Sequence, residues 1–116
     1  MAYNEKLAER IRALLAKYKS VDEIKMFGGL CFTLRGHMCC GIHQGDLMIR
    51  LGPERYHKTL TEPHTRPMDI TGRPLKGFVF VGPGGYRTVK ALAKWIELGV
   101  DFASSLPPKA GPARKS

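Results

Sequence analysis

The sequence has three cysteines in 116 residues, a single tryptophan, four serines, and no apolar run longer than four residues. Three cysteines are too few for a disulfide scaffold, and no C-x-x-C spacing exists to bring two thiolates to one zinc ion. The longest apolar runs, Ala13-Leu14-Leu15-Ala16 and Phe78-Val79-Phe80-Val81, fit neither a membrane span nor a signal peptide. A soluble, cytoplasmic chain with no membrane partner is therefore expected. Ser20, Ser104, Ser105 and Ser116 all lie outside any G-x-S-x-G elbow, and there is no internal repeat. Negative charge is scarce as well, with 10 Asp and Glu against 19 Lys and Arg for a formal +9.

What is present suffices for one ordinary core. Hydrophobic residues make up 43% of the chain, and its length suits one domain, expected over residues 1–106 and followed by a flexible basic tail at 107–116. The positive charge is concentrated in the middle. Residues 50–94 hold nine basic residues against three acidic ones, whereas residues 1–49 hold seven against five. Within the middle segment the cations are dispersed and no aromatic residues interleave with them in a base-stacking pattern, so a solvated basic face is the favoured meaning. Nucleic acid remains a possible partner, with Arg50, Arg55, Lys58, Arg66, Arg73, Lys76 and Arg87 as the candidate contacts.

Hydrophobic periodicity predicts the elements. Leu7, Ile11, Leu14, Leu15 and Tyr18 recur at helical spacing after Asn4, a capping residue, while Glu5, Glu9, Arg12 and Lys19 take the opposite side. From Ile24 the period becomes two. Gly28-Gly29 separates Ile24–Phe27 from Leu30–Leu34, Arg35-Gly36 turns the chain into His37–Ile42, and Gln44-Gly45 turns it into Leu47–Leu51. Pairing across the two later turns makes residue numbers sum to 71 and to 89. Met38 would then face Leu51, Cys40 face Ile49 and Ile42 face Leu47 on one side, with Leu30, Phe32 and Leu34 on the other. Such a sheet is apolar on both sides. Helices would cover one layer and a second subunit the other, so a homodimer is expected. A short helix over Glu54–Leu60, a connection rich in breakers (Pro63, Pro67, Gly72, Pro74), a central strand at Phe78–Val81 and a last helix over Thr88–Ala103 complete the order, with Val89, Leu92, Ala93, Ile96 and Val100 on the last helix's apolar stripe.

Tests for chemistry assign no catalytic residue, no cofactor and no metal ligand. Alternation along a strand would send Cys39 and Cys40 to opposite faces, while His37, Cys39 and His43 share a face but span about 20 Å. The sum of 71 sets Cys31 opposite Cys40, where a disulfide is geometrically conceivable; two small buried hydrophobes are the favoured reading. Gly82-Pro83-Gly84-Gly85 lies between a strand and a helix, yet Arg87 stands where a dinucleotide fingerprint needs glycine and no Walker lysine follows, which leaves a plain glycine turn. Arg87 beside a helix start is a weak anion candidate. His57 and His64 near Glu62 and Asp69 offer the makings of a general base, but any polar loop contains as much.

The residues Met26-Phe27-Gly28-Gly29-Leu30-Cys31-Phe32, the stretch from Pro63 through Arg66-Pro67-Met68-Asp69 and Gly72-Arg73-Pro74 to Val81, and Ser105-Leu106-Pro107-Pro108-Lys109 together resemble the TfoX/Sxy N-terminal domain family, in a stand-alone form lacking the C-terminal domain. The resemblance implies an α+β domain similar to the type III secretion chaperone fold, an antiparallel sheet flanked by N- and C-terminal helices. It also implies a regulatory role: longer members regulate natural competence genes together with a transcription activator. No established catalytic residues come with it. Physically, Gly28-Gly29 answers a packing need, and Arg66, Asp69 and Arg73 form either an internal ion pair or a docking site. The function expected is a non-enzymatic adaptor for a protein partner, with direct nucleic-acid binding through residues 50–94 as the alternative.

Overall fold

A computed structural model of the chain describes residues 4–26, 28–69 and 76–106. Asn4 caps the first helix, its side chain accepting the Leu7 N–H at 3.1 Å, and α1 (Glu5–Leu15) buries Leu7, Ala8, Ile11 and Leu15. The helix stops at Ala16, and Ser20, in the following link, turns the chain into the sheet with a φ of 62°. Four strands then run back and forth: β1 (Val21–Met26), β2 (Gly29–Leu34), β3 (His37–His43) and β4 (Asp46–Arg50). Arg35 and Gly36 adopt φ of 55° and 86°, the double left-handed turn that matches the twist of a tight hairpin. A short helix α2 (Pro53–Thr59) begins on proline, where the missing N–H costs nothing. Strands β5 (Thr65–Pro67) and β6 (Phe78–Val81), a 3-10 turn at Pro83–Gly85 and helix α3 (Val89–Ser105), capped by the Thr88 hydroxyl, complete the chain.

All strand neighbours are antiparallel, in the order β1-β2-β3-β4-β6-β5. Helix α3 lies across β3 and β4, and α1 packs beside it. The fold is thus α+β, an antiparallel sheet with helices at both ends of the chain. Strand β5 was hidden in the proline-rich connection. It occupies a sheet edge, where Pro67 forfeits no needed ladder bond.

The register corrects the sequence reading in one place with wide consequences. The sum of 89 between β3 and β4 holds, but between β2 and β3 the sum of 71 survives only for Leu34 with His37 and Thr33 with Met38. Past that point the pairs are Phe32 with Cys40, Cys31 with Gly41 and Leu30 with Ile42. One extra residue, Cys39, has entered β3 as a bulge. Leu30, Phe32 and Leu34 therefore share the helix-covered face with Cys40, Ile42, Leu47 and Ile49, not the opposite one, and all join a single core with the helices. Met38 moves to the far side. The two broad apolar faces expected of the meander, and with them the reason given for a covering subunit, are not there.

The bulge also overturns the expected placement of the cysteines, while the favoured reading of Cys31 and Cys40 as small buried residues holds. Cys31 faces Gly41 and lies on the far face, so it cannot bridge to Cys40. Cys39 and Cys40 both turn into the main core, with Sγ atoms 3.8 Å apart. His43 lies instead on the far face, stacked on Phe80, so His37, Cys39 and His43 do not form one row. All three thiols are free and buried. Burial pushes Cys31 up, and the Cys39 contact together with burial pushes Cys40 well above the ordinary thiol range.

Two glycines make these backbones fit. A Cβ on Gly29 would collide with the Ile42 carbonyl oxygen, and one on Gly99 would collide with the carbonyl oxygen of the bulged Cys39. Gly99 is therefore where α3 rests directly on the sheet. Its neighbours Trp95, Ile96, Val100 and Ala103 are buried, whereas Val89, expected in the stripe, is 72% exposed at the first turn. Gly99→Ala should lower unfolding free energy by about 1–3 kcal/mol, read from the urea midpoint, because the clash with main chain outweighs the gain in helix propensity. A higher midpoint would contradict the close contact. Native protein should give no reaction with a charged thiol reagent, and unfolded protein should expose all three cysteines.

Candidate interaction surface

The face of the sheet away from α1 and α3 is built from one side-chain row that crosses all six strands. The pairings run Ile24, Cys31, Gly41, Met48, Phe80, Arg66. Gly41 leaves a gap that Met48 fills; a Cβ there would meet the Met48 methyl at 2.8 Å. Met48, Cys31 and Phe80 are buried together with Met68, which follows β5, and half-buried Met38 and Phe78 pack around them. This is a satellite core, smaller than the one under the helices.

Around it the polar side chains are held by rings. His43 stacks on Phe80 with centroids 5.6 Å apart, and the Arg66 guanidinium lies 4.8 Å from the same ring. Arg66 also donates to the Asp46 carboxylate at 2.5 Å, which with the nearby Asp69 holds its guanidinium charged. Asp46, not Asp69, is thus the ion-pair partner that the sequence left open. Arg50 lies 5.5 Å from the ring centre of Phe78 and 5.1 Å from that of Phe102, and its half-burial lowers its affinity for the proton. Two of the predicted contact residues are therefore fixed in orientation before any partner arrives.

The remaining candidates do not form one patch with both arginines: Arg55 and Lys76 lie toward the Arg50 end of the sheet, and Arg87 lies elsewhere. Arg55 and Lys58 are exposed on α2. Lys76 is exposed beside Gly77, whose carbonyl accepts the Leu51 and Gly52 N–H groups, so it sits at the end of β4 near Arg50 and Arg55. That end carries a cavity of about 370 Å³ lined in part by Glu54, Arg55, Asp101 and Phe102, where two carboxylates offset the arginine. Arg87 lies beyond the opposite end of β6, exposed, its carbonyl accepting from Arg10. Arg73 lies outside the described residues.

The other constellations take separate partners. His57 meets the ring of Tyr56, His64 packs against Gly84 and Gly85 with φ of 68°, and Glu62 binds Lys94 at 2.9 Å. The glycine turn is a plain turn: its Gly85 carbonyl accepts the Trp95 indole N–H at 3.0 Å, and the Tyr86 hydroxyl that follows donates to the Gly45 carbonyl. Among the described residues no helix is long and apolar enough to cross a membrane.

With sheet order, helix placement and the glycine pair at the β1–β2 turn established, the family model of the TfoX N-terminal domain matches residues 13–103. The chain belongs to the TfoX N-terminal domain family. No curated protein and no solved structure matches it. The match to the TfoX N-terminal domain takes in every strand and the whole outer face.

Sequence reasoning named Arg50 and Arg66 but missed His43, Asp46, Phe78 and Phe80 as their companions. The β3–β4 register already placed His43 opposite Asp46; the link to Phe80 needed the long-range pairing of β4 with β6, which no local spacing announces. Arg50→Ala should cost roughly 1 kcal/mol of stability through its two ring contacts. Arg55→Ala should stay within about 0.5 kcal/mol. Equal effects in denaturant melts would mean that the Arg50 stacking contributes nothing.

Proposed function

We propose that this TfoX N-terminal domain is a non-enzymatic regulatory adaptor that engages a protein partner through the outer face of its sheet, in keeping with the transcriptional role that the family resemblance implies. The observation that carries this reading is the pre-set pair of arginines, each laid against an aromatic ring beside a methionine-rich satellite core. Arginine, aromatic residues and methionine are the types enriched at protein interfaces, and a guanidinium already immobilised loses little further freedom on binding. The overall +9 favours a partner with an acidic surface and speeds encounter by steering.

Direct nucleic-acid binding is the competing reading, supported by the exposed Arg55, Lys58, Lys76 and Arg87. Those cations are distributed over α2 and both ends of the sheet, and carboxylates of Glu54 and Asp101 share the hollow beside Arg55. The two readings separate in one experiment. Tagged wild-type and Arg66→Glu chains are used to capture partners from nuclease-treated and untreated native lysate. The adaptor reading expects a protein retained after nuclease treatment by wild-type and lost with Arg66→Glu. Capture that disappears with nuclease, or a duplex or single strand whose affinity falls steeply between low and moderate salt, would replace it with the nucleic-acid reading.

A further inference from the structure

The two edges of the sheet are unlike each other. At one side β5 is three residues long and ends on Pro67, a guarded edge. At the other, β1 runs for six residues in unbroken register with β2 and contains neither proline nor glycine. Asp22, Glu23, Ile24 and Lys25 are all exposed, and Ile24, at 46%, is one of two large exposed hydrophobic residues among those described.

The backbone of β1 shows what this edge can accept. The Ser20 carbonyl takes the Arg35 N–H at 3.0 Å, so Ser20 and Arg35 are a hydrogen-bonded pair. Alternation then commits the peptide groups of Asp22, Ile24 and Met26 to β2, and turns those of Val21, Glu23 and Lys25 outward. An incoming antiparallel strand must bond to these odd-numbered residues.

We infer that β1 pairs with β1 of a second copy of this chain, Ile24 meeting the partner's Ile24 on a two-fold axis normal to the sheet, which continues across twelve strands. Such an axis keeps the helices of both copies on the same side, so opposed residues must point to the same face and their numbers must sum to an even value. Four registers centre on the exposed stretch. Three of them oppose Asp22, Glu23 or Lys25 to the same residue of the partner, which sets like charges directly across. The fourth opposes Glu23 to the partner's Lys25 twice over, makes four outward backbone hydrogen bonds from those residues, and covers both copies of Ile24. Beside Glu23, on the helix side, a cavity of about 320 Å³ lined by Arg12, Leu15, Tyr18, Val21, Glu23 and Phe32 leaves room for the incoming lysine stem. Glu23 is already oriented by Arg12 at 2.7 Å, which holds its carboxyl below the usual range and keeps it ionised.

This interface is independent of the outer-face reading above, since its residues lie at the opposite edge from Arg66. The test is sedimentation of the full chain from micromolar to millimolar concentration. Wild-type should pass from monomer to dimer. Lys25→Glu alone and Glu23→Lys alone should each self-associate about tenfold more weakly, and an equimolar mixture of the two should recover the dimer, because each then meets its opposite charge. Lys25→Pro removes an outward N–H without touching a β2 bond, and should stay folded and monomeric. Amide exchange should show Glu23 and Lys25 protected only at high concentration, with Asp22 and Ile24 protected throughout. A wild-type chain monomeric at millimolar concentration, a dimer unaffected by Lys25→Glu and Lys25→Pro, or Glu23 and Lys25 amides protected only by some other protein would each overturn the proposal.

Discussion

One residue inserted into one strand organises this molecule. The bulge at Cys39 offsets β3 by a single position, and because side chains alternate with a period of two, that offset exchanges inside for outside. Leu30, Phe32 and Leu34 thereby line up with Cys40, Ile42, Leu47 and Ile49 under the helices. Without it the apolar residues of β2 and of the upper half of β3 would fall on opposite faces, and neither face would hold enough of them for a core.

The order of elements was legible from pattern alone: the Asn4 cap, the Arg35-Gly36 turn, the β-rich run at Phe78 and the terminal helix all stand where spacing placed them. Face assignment was not. A bulge leaves no mark in hydrophobic alternation when the extra residue is itself apolar, and Met38-Cys39-Cys40 reads the same with or without one. The arginines were visible as charges but not as stacked groups, since the rings that hold Arg66 and Arg50 belong to β6 and α3, strands and turns away in sequence. The short edge strand β5 does not show in the pattern, because a proline that breaks an interior strand is equally at home at a sheet's edge.

Charge and packing divide the surface into distinct regions. The helix side is sealed by aliphatic residues and by two buried aromatic side chains, Trp95 and Tyr86, whose polar atoms each reach a backbone carbonyl. The outer side carries guanidinium groups fixed on rings around a small methionine cluster. The β1 edge carries alternating charge and one bare isoleucine. The outer side and the β1 edge meet only at Ile24, and their charged groups, Arg50 and Arg66 on one and Glu23 and Lys25 on the other, are separate.

The seat of α3 on the Cys39 carbonyl has a consequence for how sequences of this family can diverge. A helix keyed to a sheet at a single bare position cannot slide, because a shift of one residue along its axis would bring Leu98 or Val100 over the oxygen that only Gly99 clears. Single-residue insertions or deletions between the Thr88 cap and Gly99 rotate the helix by about 100° per residue and misplace the notch. Drift in length should consequently collect in the loops and not between Thr88 and Gly99.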